Sequence, residues 1–364
     1  VIFYCLFTQS GYFVRNSLTN IVSPIYRLIE DQLIGWSINQ SRYCIRPFEY
    51  FYFSYAGSWD SLRLTDFISG LDSSKPVNKI QNIATDPQTP GNIIFADSHA
   101  LFTTDGKTVS LIAGSFGTQS GFQEGVGIRA RFSKINSFVV VSKSLLIVVD
   151  EGNRCLIQVN LVTKQTQQFS GLCGSTTAET IDGDKDTARF GNMVSIDIDR
   201  TISIGDLFVL DNNVKYYGRS VDIKTGAVTT QLEDDKATST ALDFIQPSCG
   251  SYMVIISEYQ GGEGGGKRFA LYNNDMVYYE DIPVTFSKLI DIGNFSALSA
   301  VPAFSTVLFT SSFNNAEFPI CSGTQGNVNG DLSACQLDTP HALLHYDGKL
   351  FMSVATGIKK IDSK

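Results

Sequence analysis

Three carboxylates alternate along one short stretch of the chain, Asp182, Asp184 and Asp186. Calcium takes oxygen ligands, and alternating aspartates are typical of the start of a calcium-binding loop. The stretch lacks the Gly and the distal bidentate Glu of a complete EF-hand loop. Asp182 and Gly183 also form the Asp-Gly pair of a tight turn, which needs no metal. The sequence therefore favours a turn without a metal here. Calcium bound by these aspartates is the alternative, and no other cofactor is predicted.

Histidine is rare, and the three side chains are His99, His341 and His345. A catalytic zinc ion needs about three protein ligands that converge on an open position. In a strand, the four-residue spacing of His341 and His345 places them about 13 Å apart on one face, too far to share an ion. We therefore expect ordinary packing roles for all three.

Nucleophilic motifs are not recognisable: there is neither a Gly-x-Ser-x-Gly elbow nor a Cys–His pair. Residues 261–267 match the first part of a phosphate-binding loop, but Arg268 stands where Ser or Thr is required and strand-like residues follow. Asp97, Asp150 and Asp211 end strand-like runs, where their expected role is to accept hydrogen bonds from the backbone of the next turn. We therefore predict no catalytic residues.

Cysteine placement indicates an oxidising compartment. Cys155 and Cys173 fall on opposing positions of a predicted hairpin, where a cross-strand disulfide is plausible. Two further pairs bracket a Gly/Asn-rich loop and the N-terminal segment, namely Cys321 with Cys335 and Cys5 with Cys44. Cys249 is then left over, either buried or paired with another chain. The alternative is seven reduced, buried thiols, because seven cysteines do not make a dense framework.

Charge and composition narrow the class of partner and the compartment. The formal net charge of −8 argues against nucleic acid, because phosphate binding needs clustered Lys and Arg. No stretch approaches the roughly 20 apolar residues of a membrane span. Two N-x-S sequons, at Asn39 and Asn294, are compatible with a secreted glycoprotein. The chain starts at Val1 and not at Met, which predicts a processed or truncated start. The sequons and the cysteine pairs together predict an extracellular location.

The elements that would position these residues recur along the chain. The triplets Ala130-Arg-Phe132 and Ala188-Arg-Phe190 are 58 residues apart, and Asp150 and Asp211 are 61 apart. A fainter copy covers residues 93–114. Each unit contains about four short strand-like runs separated by turns, and 31 Gly with 25 Phe suit strands and turns. Four-stranded units that bury both faces by stacking are the blades of a β-propeller.

These motifs resemble the NHL-repeat family. Its pattern runs from a Gly-rich stretch with Asp-Gly through Ala-Arg-Phe and a Val-Ala-Asp strand end to an Asn-x-Arg-Ile turn and a closing Ala-Gly. Asn153-Arg154 fit the turn, whereas the family's Pro-x-Gly is absent before the best-matched inner strands. The match is close for residues 114–232, moderate for 80–114 and 323–362, and poor for 244–320. The resemblance implies an all-β propeller; relatives include zinc-dependent lyases, calcium-dependent lactonases and RNA-binding proteins.

Two regions are predicted. Residues 1–47 form an N-terminal arm with one short helix that starts at Ser23-Pro24, and residues 48–364 form the propeller. Six blades are expected, with seven as the alternative, near residues 80–114, 134–173, 192–232, 244–282, 297–321 and 340–362. The last blade shows only three strands. Residues 48–55, whose Ala-Gly ending matches Ala113-Gly114, are predicted to supply its outer strand and close the ring.

The sequence thus favours an extracellular, non-enzymatic module that binds or assembles with proteins, self-assembly included, with glycan as another ligand class. Long loops at 57–79, 259–268 and 311–335 would carry specificity. The alternative is a metal-dependent propeller hydrolase or lyase, lactonase-like or amidating-lyase-like, with ligands in the weakly patterned blades.

Overall fold

The structure is a computed structural model that describes the chain between residues 62 and 363, with gaps. The described residues are 62–69, 71, 80–115, 119–198, 206–234, 320–322, 324–347, 349–355 and 357–363. Between residues 243 and 319 it describes the strands alone, by their backbone.

The described strands form six antiparallel sheets, and the first strand of the chain, β1 (Leu62–Ile68), belongs to the sixth of them. Sheet 1 contains β2 (Asn82–Thr85), β3 (Ile93–Ala96), β4 (Ala100–Thr104) and β5 (Val109–Gly114). Sheet 2 contains β6 (Gly125–Val126), β7 (Ile135–Val140), β8 (Leu145–Asp150), β9 (Cys155–Asn160) and β10 (Gln165–Ser170). Sheet 3 contains β11 (Asn192–Ile198), β12 (Leu207–Asn212), β13 (Tyr216–Val221) and β14 (Val228–Asp234). Sheet 4 contains β15 (Asp243–Ile245), β16 (Met253–Glu258), β17 (Lys267–Asn273) and β18 (Met276–Ile282). Sheet 5 contains β19 (Lys288–Gly293), β20 (Ser296–Val301), β21 (Thr306–Ser311) and β22 (Ala316–Ile320). Sheet 6 contains β1 with β23 (Gly330–Asp331), β24 (Leu343–Tyr346), β25 (Lys349–Val354) and β26 (Gly357–Ser363). Short 3₁₀ helices cover Gly127–Arg129 and Glu151–Asn153.

Sheets 1 to 5 each contain a meander of four strands, in which every strand pairs with the next one along the chain. In sheet 6, β24, β25 and β26 form such a meander and β1 supplies the fourth strand. Sheets 2 and 6 carry a fifth, two-residue strand at the outer edge, β6 beside β10 and β23 beside β1. The first long strand of each sheet contacts that of the next, from β2 through β7, β11, β15 and β19 to β24, and β24 contacts β2. The prediction of an all-β fold is confirmed.

The apolar core lies between neighbouring sheets, which explains the continuous apolar runs of the middle strands. Leu146 and Val148 of β8 pack in the cluster shared by sheets 1 and 2. Ile147 and Val149, on the other face, pack in the cluster shared by sheets 2 and 3. Successive side chains of a strand point to opposite faces, so a strand covered on both faces must be apolar throughout.

The Ala-Arg-Phe triplets lie in long segments that lead from one sheet into the next. Ala130 and Phe132 are fully buried in the cluster between sheets 1 and 2. Ala188 and Phe190 are buried in the same way between sheets 2 and 3. Before each triplet the segment pairs with the outer strand of the sheet that it enters, Gly125 opposite Thr166 and Gly183 opposite Val228.

Sheet 6 is built from both ends of the described chain. β1 pairs with β26 along its length, from Leu62 opposite Ser363 to Ile68 opposite Ile358, and with β23 on its other side. The outer position predicted for residues 48–55 is thus occupied by β1, because Leu64 and Ile68 supply the buried face of an outer strand. Residues 48–55 themselves lie outside the described residues.

Several other predictions also lie outside the described residues: the arm of residues 1–47, the Cys5–Cys44 pair, Cys249, Asn39 and Asn294. The loops predicted at 57–79 and 311–335 are shorter than expected, because the first contains β1 and the second contains β22 and β23. No helix in the described part is long and apolar enough to cross a membrane.

Candidate functional site

Asp150 ends β8, and its fully buried carboxylate holds the start of β7. Oδ1 accepts a hydrogen bond from the N–H of Lys134 at 2.9 Å, and Oδ2 accepts one from Nδ2 of Asn153 at 2.6 Å. Asp97 directly follows β3 and accepts hydrogen bonds from the N–H groups of His99 and Ala100 in its own turn. Oδ1 of Asp150 also accepts from the N–H of Asn153, in the turn after β8, at 3.3 Å. The predicted role as an acceptor in the following turn is confirmed for these two aspartates.

Asp211, the penultimate residue of β12, has a charged partner instead. Its Oδ2 lies 3.1 Å from Nη1 of Arg219, and neither side chain has exposed surface. The other terminal nitrogen of Arg219, Nη2, lies 2.9 Å from Oδ1 of Asp182, whose side chain is 43% exposed. For Asp211 the predicted turn-acceptor role is therefore wrong, because a buried guanidinium lies within its reach.

The guanidinium of Arg219 also holds the connecting segment that covers it. It donates to the carbonyl oxygens of Arg189 at 2.6 Å and of Ile181 at 2.7 Å. Its Cζ lies 4.8 Å from the ring centroid of Phe190, in a cation–π contact. One buried cation thus fixes the Asp-Gly turn and the Ala-Arg-Phe triplet of sheet 3 onto β13.

A second buried cation occupies the matching place in sheet 6. Lys359 of β26 donates from Nζ to Oδ1 of Asp66 at 2.9 Å and to Oδ1 of Asn329 at 2.7 Å. Asn329-Gly330 corresponds to Asp182-Gly183, because Gly330 pairs with Leu64 of the outer strand β1. Neither cation was predicted from the sequence; a Lys or Arg in the third strand of a repeat is the signal that could have revealed them.

Burial and hydrogen bonds move the acidities of these carboxyl groups in opposite directions. Burial raises the pKa of Asp211 to about 6, although Gly191 and Arg219 act to lower it. Burial also raises the pKa of Asp150, despite its hydrogen bonds. For Asp182, burial is outweighed by hydrogen bonds from Thr230 and Arg219, which hold the pKa below its usual value.

The three alternating aspartates have different roles. Asp182 accepts hydrogen bonds from Thr230 and Arg219. Asp184 contributes its carbonyl oxygen, which accepts the N–H groups of Thr187 and Ala188 in the turn. In the described part of the chain, no three Asp, Glu, His or Cys side chains converge as metal ligands. Calcium at Asp182, Asp184 and Asp186 stays a prediction.

The histidines lie in different elements. His99 lies in the turn between β3 and β4, and His345 lies in β24 opposite Leu350. His341 precedes β24, and its Nε2 lies 3.2 Å from Oε1 of Gln81. The segment after residue 266, which the phosphate-loop motif would require to be a helix, is the strand β17.

Both predicted disulfides in the described chain are confirmed. Cys155 at the start of β9 is bonded to Cys173, three residues beyond β10, with 5.0 Å between their Cα atoms. Cys321 is bonded to Cys335, with 4.7 Å between their Cα atoms. Cys335 takes the place of the buried alanine of the triplet, because Gln336 bridges to Val328 as Arg189 bridges to Ile181. Each disulfide therefore ties down a segment that leaves one sheet or enters the next.

Exposed apolar side chains lie at the strand ends where these segments leave the sheets. Val214, in the turn between β12 and β13, is 88% exposed; Leu172 is 45% exposed and Phe122 36% exposed. Hydrogen bonds join the three regions, from Asn213 to the carbonyl of Ala178, from Gly174 to that of Asn153, and from Asn153 to that of Gly121. We call Phe122, Leu172 and Val214 the apolar rim.

Comparison with known proteins establishes the fold. No protein-family model matches this sequence, and no curated protein matches it. Among solved structures, an auxiliary nutrient binding protein from Bacteroides ovatus is similar, with a TM-score of 0.58 and 12% identity, over 84% of this chain and 77% of that one. A gluconolactonase from Xanthomonas campestris has a TM-score of 0.56 and 9% identity, over 83% and 90%. Virginiamycin B lyase from Staphylococcus aureus has a TM-score of 0.53 and 8% identity, over 83% and 100%. Since these neighbours are β-propeller proteins, the chain has the β-propeller fold.

Proposed function

We propose that this protein is an extracellular binding or assembly module, a propeller of the NHL type with six blades, one for each sheet. Its partners are other proteins, further copies of this chain included, and glycans are a second ligand class. Binding involves the segments between sheets and the β12–β13 turn, and the sheets act as a rigid support.

The observation that carries the proposal is an apolar rim mounted on fixed segments. A valine that is 88% exposed contributes nothing to the core, and an exposed apolar surface on hydrogen-bonded segments is a candidate protein interaction site. The segments beneath the rim are held by Asn153, Asn213 and the Cys155–Cys173 disulfide. A preorganised surface of this kind loses little conformational entropy on binding.

An extracellular location is supported by the two disulfides, because such bonds persist in oxidising compartments. The predicted third pair, Cys5 with Cys44, and glycans on Asn39 and Asn294 belong to the same proposal. Mass spectrometry of the non-reduced protein from a eukaryotic secretion host tests all three directly.

A second function is a metal-dependent hydrolase or lyase. The observation in its favour is the shared fold of a gluconolactonase and of virginiamycin B lyase. Metal analysis of protein purified without chelator, with a lactone hydrolysis assay, separates the two functions. About one bound calcium or zinc ion per chain, together with lactone hydrolysis, would favour the enzyme over the binding module. If Asp184→Asn removes a bound calcium without any turnover, that ion is a structural one of the Asp182–Asp186 loop.

The module itself is tested by sedimentation velocity over a concentration series. Val214→Asp places a charge in the apolar rim and is expected to weaken self-association. Val162→Asp is the matched control, since Val162 is 62% exposed but lies in the β9–β10 turn, at the opposite strand ends. Equal effects of the two substitutions would exclude the rim as the contact surface. A wild-type chain that stays monomeric at every concentration would overturn self-association through the rim. A chain that also binds no glycan on an array would leave other proteins as the one partner class of the proposal.

A further inference from the structure

Strand β1 joins the two ends of the described chain. It lies between β26 and β23, both of which come from the last residues of the chain. The pairing with β26 shifts register between Asp66 and Ile68, so the ladder is irregular at its far end. Strands β24, β25 and β26 pair through short hairpins, whereas β1 lies nearly 300 residues away in sequence from β26. What holds β1 in sheet 6 therefore determines whether the ring is closed.

A closed triad of side chains spans this junction. Nζ of Lys359 lies 2.9 Å from Oδ1 of Asp66 and 2.7 Å from Oδ1 of Asn329. Nδ2 of Asn329 completes the triad by donating to Oδ2 of Asp66 at 2.9 Å. The three residues belong to β26, to β1 and to the turn before β23. Each member therefore contacts both of the others, and the three together connect three segments.

The two ends of the ion pair differ in burial. The side chain of Lys359 is 1% exposed, whereas that of Asp66 is 38% exposed. An ammonium group with so little contact with water depends on its protein partners, because a buried charge without a counter-charge is strongly unfavourable. A carboxylate that keeps more than a third of its surface in water depends much less on Lys359.

The equivalent cation of sheet 3 shows what is particular to sheet 6. Arg219 stands opposite Val209 and Thr230, as Lys359 stands opposite Met352 and Asp66. The carboxylates that bind Arg219 lie 8 and 37 residues away in sequence. Asp66 lies 293 residues from Lys359. The same device that fixes a local segment in sheet 3 thus joins the chain's distant parts in sheet 6.

We infer that β1 is a strap that opens and closes on sheet 6 and that the Lys359–Asp66–Asn329 triad is its latch. Loss of the Asp66 charge leaves a buried ammonium group beneath β1, so β1 separates from β26 while the other described sheets keep their structure. Opening exposes the backbone N–H and C=O groups along β26, an edge that can pair with another extended segment. The latch is independent of the apolar rim and of the function proposed for it.

Hydrogen–deuterium exchange on the full chain tests the latch with a cycle of three variants. Asp66→Asn is expected to raise exchange in β1, β23 and β26 by about tenfold or more, while β8 and β9 stay as in the wild type. Lys359→Met is expected to have a smaller effect, since the partly hydrated Asp66 tolerates loss of its partner. The double variant is expected to recover protection relative to Asp66→Asn, because it removes the buried charge itself.

Asp182→Asn is the matched control, because it removes the partly exposed carboxylate from the equivalent cation of sheet 3. It is expected to raise exchange in residues 181–190 and to leave β1 unchanged. The inference is overturned if Asp66→Asn raises exchange equally in all sheets, if it leaves β1 protected, or if the double variant is no better protected than Asp66→Asn. Should Asp66→Asn fail to fold, the double variant still decides, because it lacks the buried charge: a double variant that folds with β1 protected supports the latch, and one that also fails to fold overturns it.

Discussion

Arg219 and Asp211 form an ion pair in which neither side chain is exposed to solvent, with 3.1 Å between Nη1 and Oδ2. Two charges that are removed from water stabilise a fold only when both are matched, because each alone carries a large desolvation cost. Arg219 reaches a second carboxylate, Asp182, so the pair belongs to a group with one surplus negative charge. Asp211 is the more deeply buried of the two carboxylates, and burial raises its pKa to about 6 although Gly191 and Arg219 act to lower it.

Arg219→Met should therefore destabilise the protein substantially. Methionine keeps the apolar contact with Phe190 but leaves Asp211 without its cation, and we expect a loss of about 3 kcal/mol in the free energy of unfolding. Lys215→Met is the control, because Lys215 and Glu233 form an exposed pair at 3.4 Å in the same sheet. Its removal should cost less than about 1 kcal/mol. If both variants lose the same free energy of unfolding in urea denaturation, the buried ion pair stabilises the fold no more than the exposed one.

The raised pKa of Asp211 predicts how stability depends on pH. A carboxyl group whose pKa rises from 3.8 to about 6 on folding binds its proton more tightly in the folded state. It therefore favours folding most below pH 4, and that contribution is lost as the pH rises through about 6. Over this pH range the contribution of Asp211 to the free energy of unfolding falls by about 3 kcal/mol.

Asp211→Asn removes the titrating group and should flatten this part of the curve. The measurement is the difference in the free energy of unfolding between wild type and variant from pH 4 to pH 7, which cancels the other carboxylates. We expect the free energy of unfolding of the variant to increase relative to that of the wild type as the pH rises. A difference that is constant across this range would mean that Asp211 keeps an ordinary pKa in the folded protein.

Much of this architecture could be predicted from the sequence because the repeat imposes the same physical demand several times. Ala130 and Ala188 recur since only a small residue fits between two sheets at that place, and the apolar run of β8 reports burial on both faces. Cys155 and Cys173 could be paired because a hairpin fixes their separation. These signals come from residues that are close together in sequence, and such signals are enough to predict the four-stranded units.

The long-range features could not be predicted in this way. β1 contains Arg63 and Asp66 among its apolar residues, so its sequence does not stand out as an outer strand. Lys359 and Arg219 look like solvent-exposed residues of alternating strands, yet both are buried by segments that return from elsewhere in the chain. Burial of a charge depends on what covers it, and that information lies in tertiary contacts.

Removal of the Cys321–Cys335 disulfide should destabilise the protein without disturbing packing. Alanine is the residue that the repeat places at the position of Cys335, so Cys321→Ala/Cys335→Ala leaves little strain. A loop of 14 residues predicts a loss of about 3 kcal/mol, because the unfolded chain gains conformational freedom. Limited proteolysis should also begin to cut within residues 322–334. The Cys155→Ala/Cys173→Ala variant is the comparison and should leave residues 322–334 resistant; cleavage there in both variants would indicate global loosening.

Gly114 is the last residue of β5 in sheet 1, and the neighbouring backbone leaves no room there for a side chain. Its φ is +107°, and a Cβ would lie 2.3 Å from the carbonyl oxygen of His99 and 2.7 Å from Cα of Ala100. Both neighbours are backbone atoms, which cannot move without breaking the β4–β5 ladder. Gly114→Ala is therefore expected to cost about 3–5 kcal/mol.

Gly91 separates backbone strain from crowding in that prediction. Its φ is +92°, but nothing lies within 4 Å of the place that a methyl group would occupy, so Gly91→Ala meets the strained conformation alone. We expect it to cost about 1 kcal/mol, and the difference between the two variants in thermal unfolding measures the close approach at Gly114. If the two substitutions cost the same, the Ala113-Gly114 ending of the repeat is explained by its positive φ, and the contact with His99 relaxes at no cost.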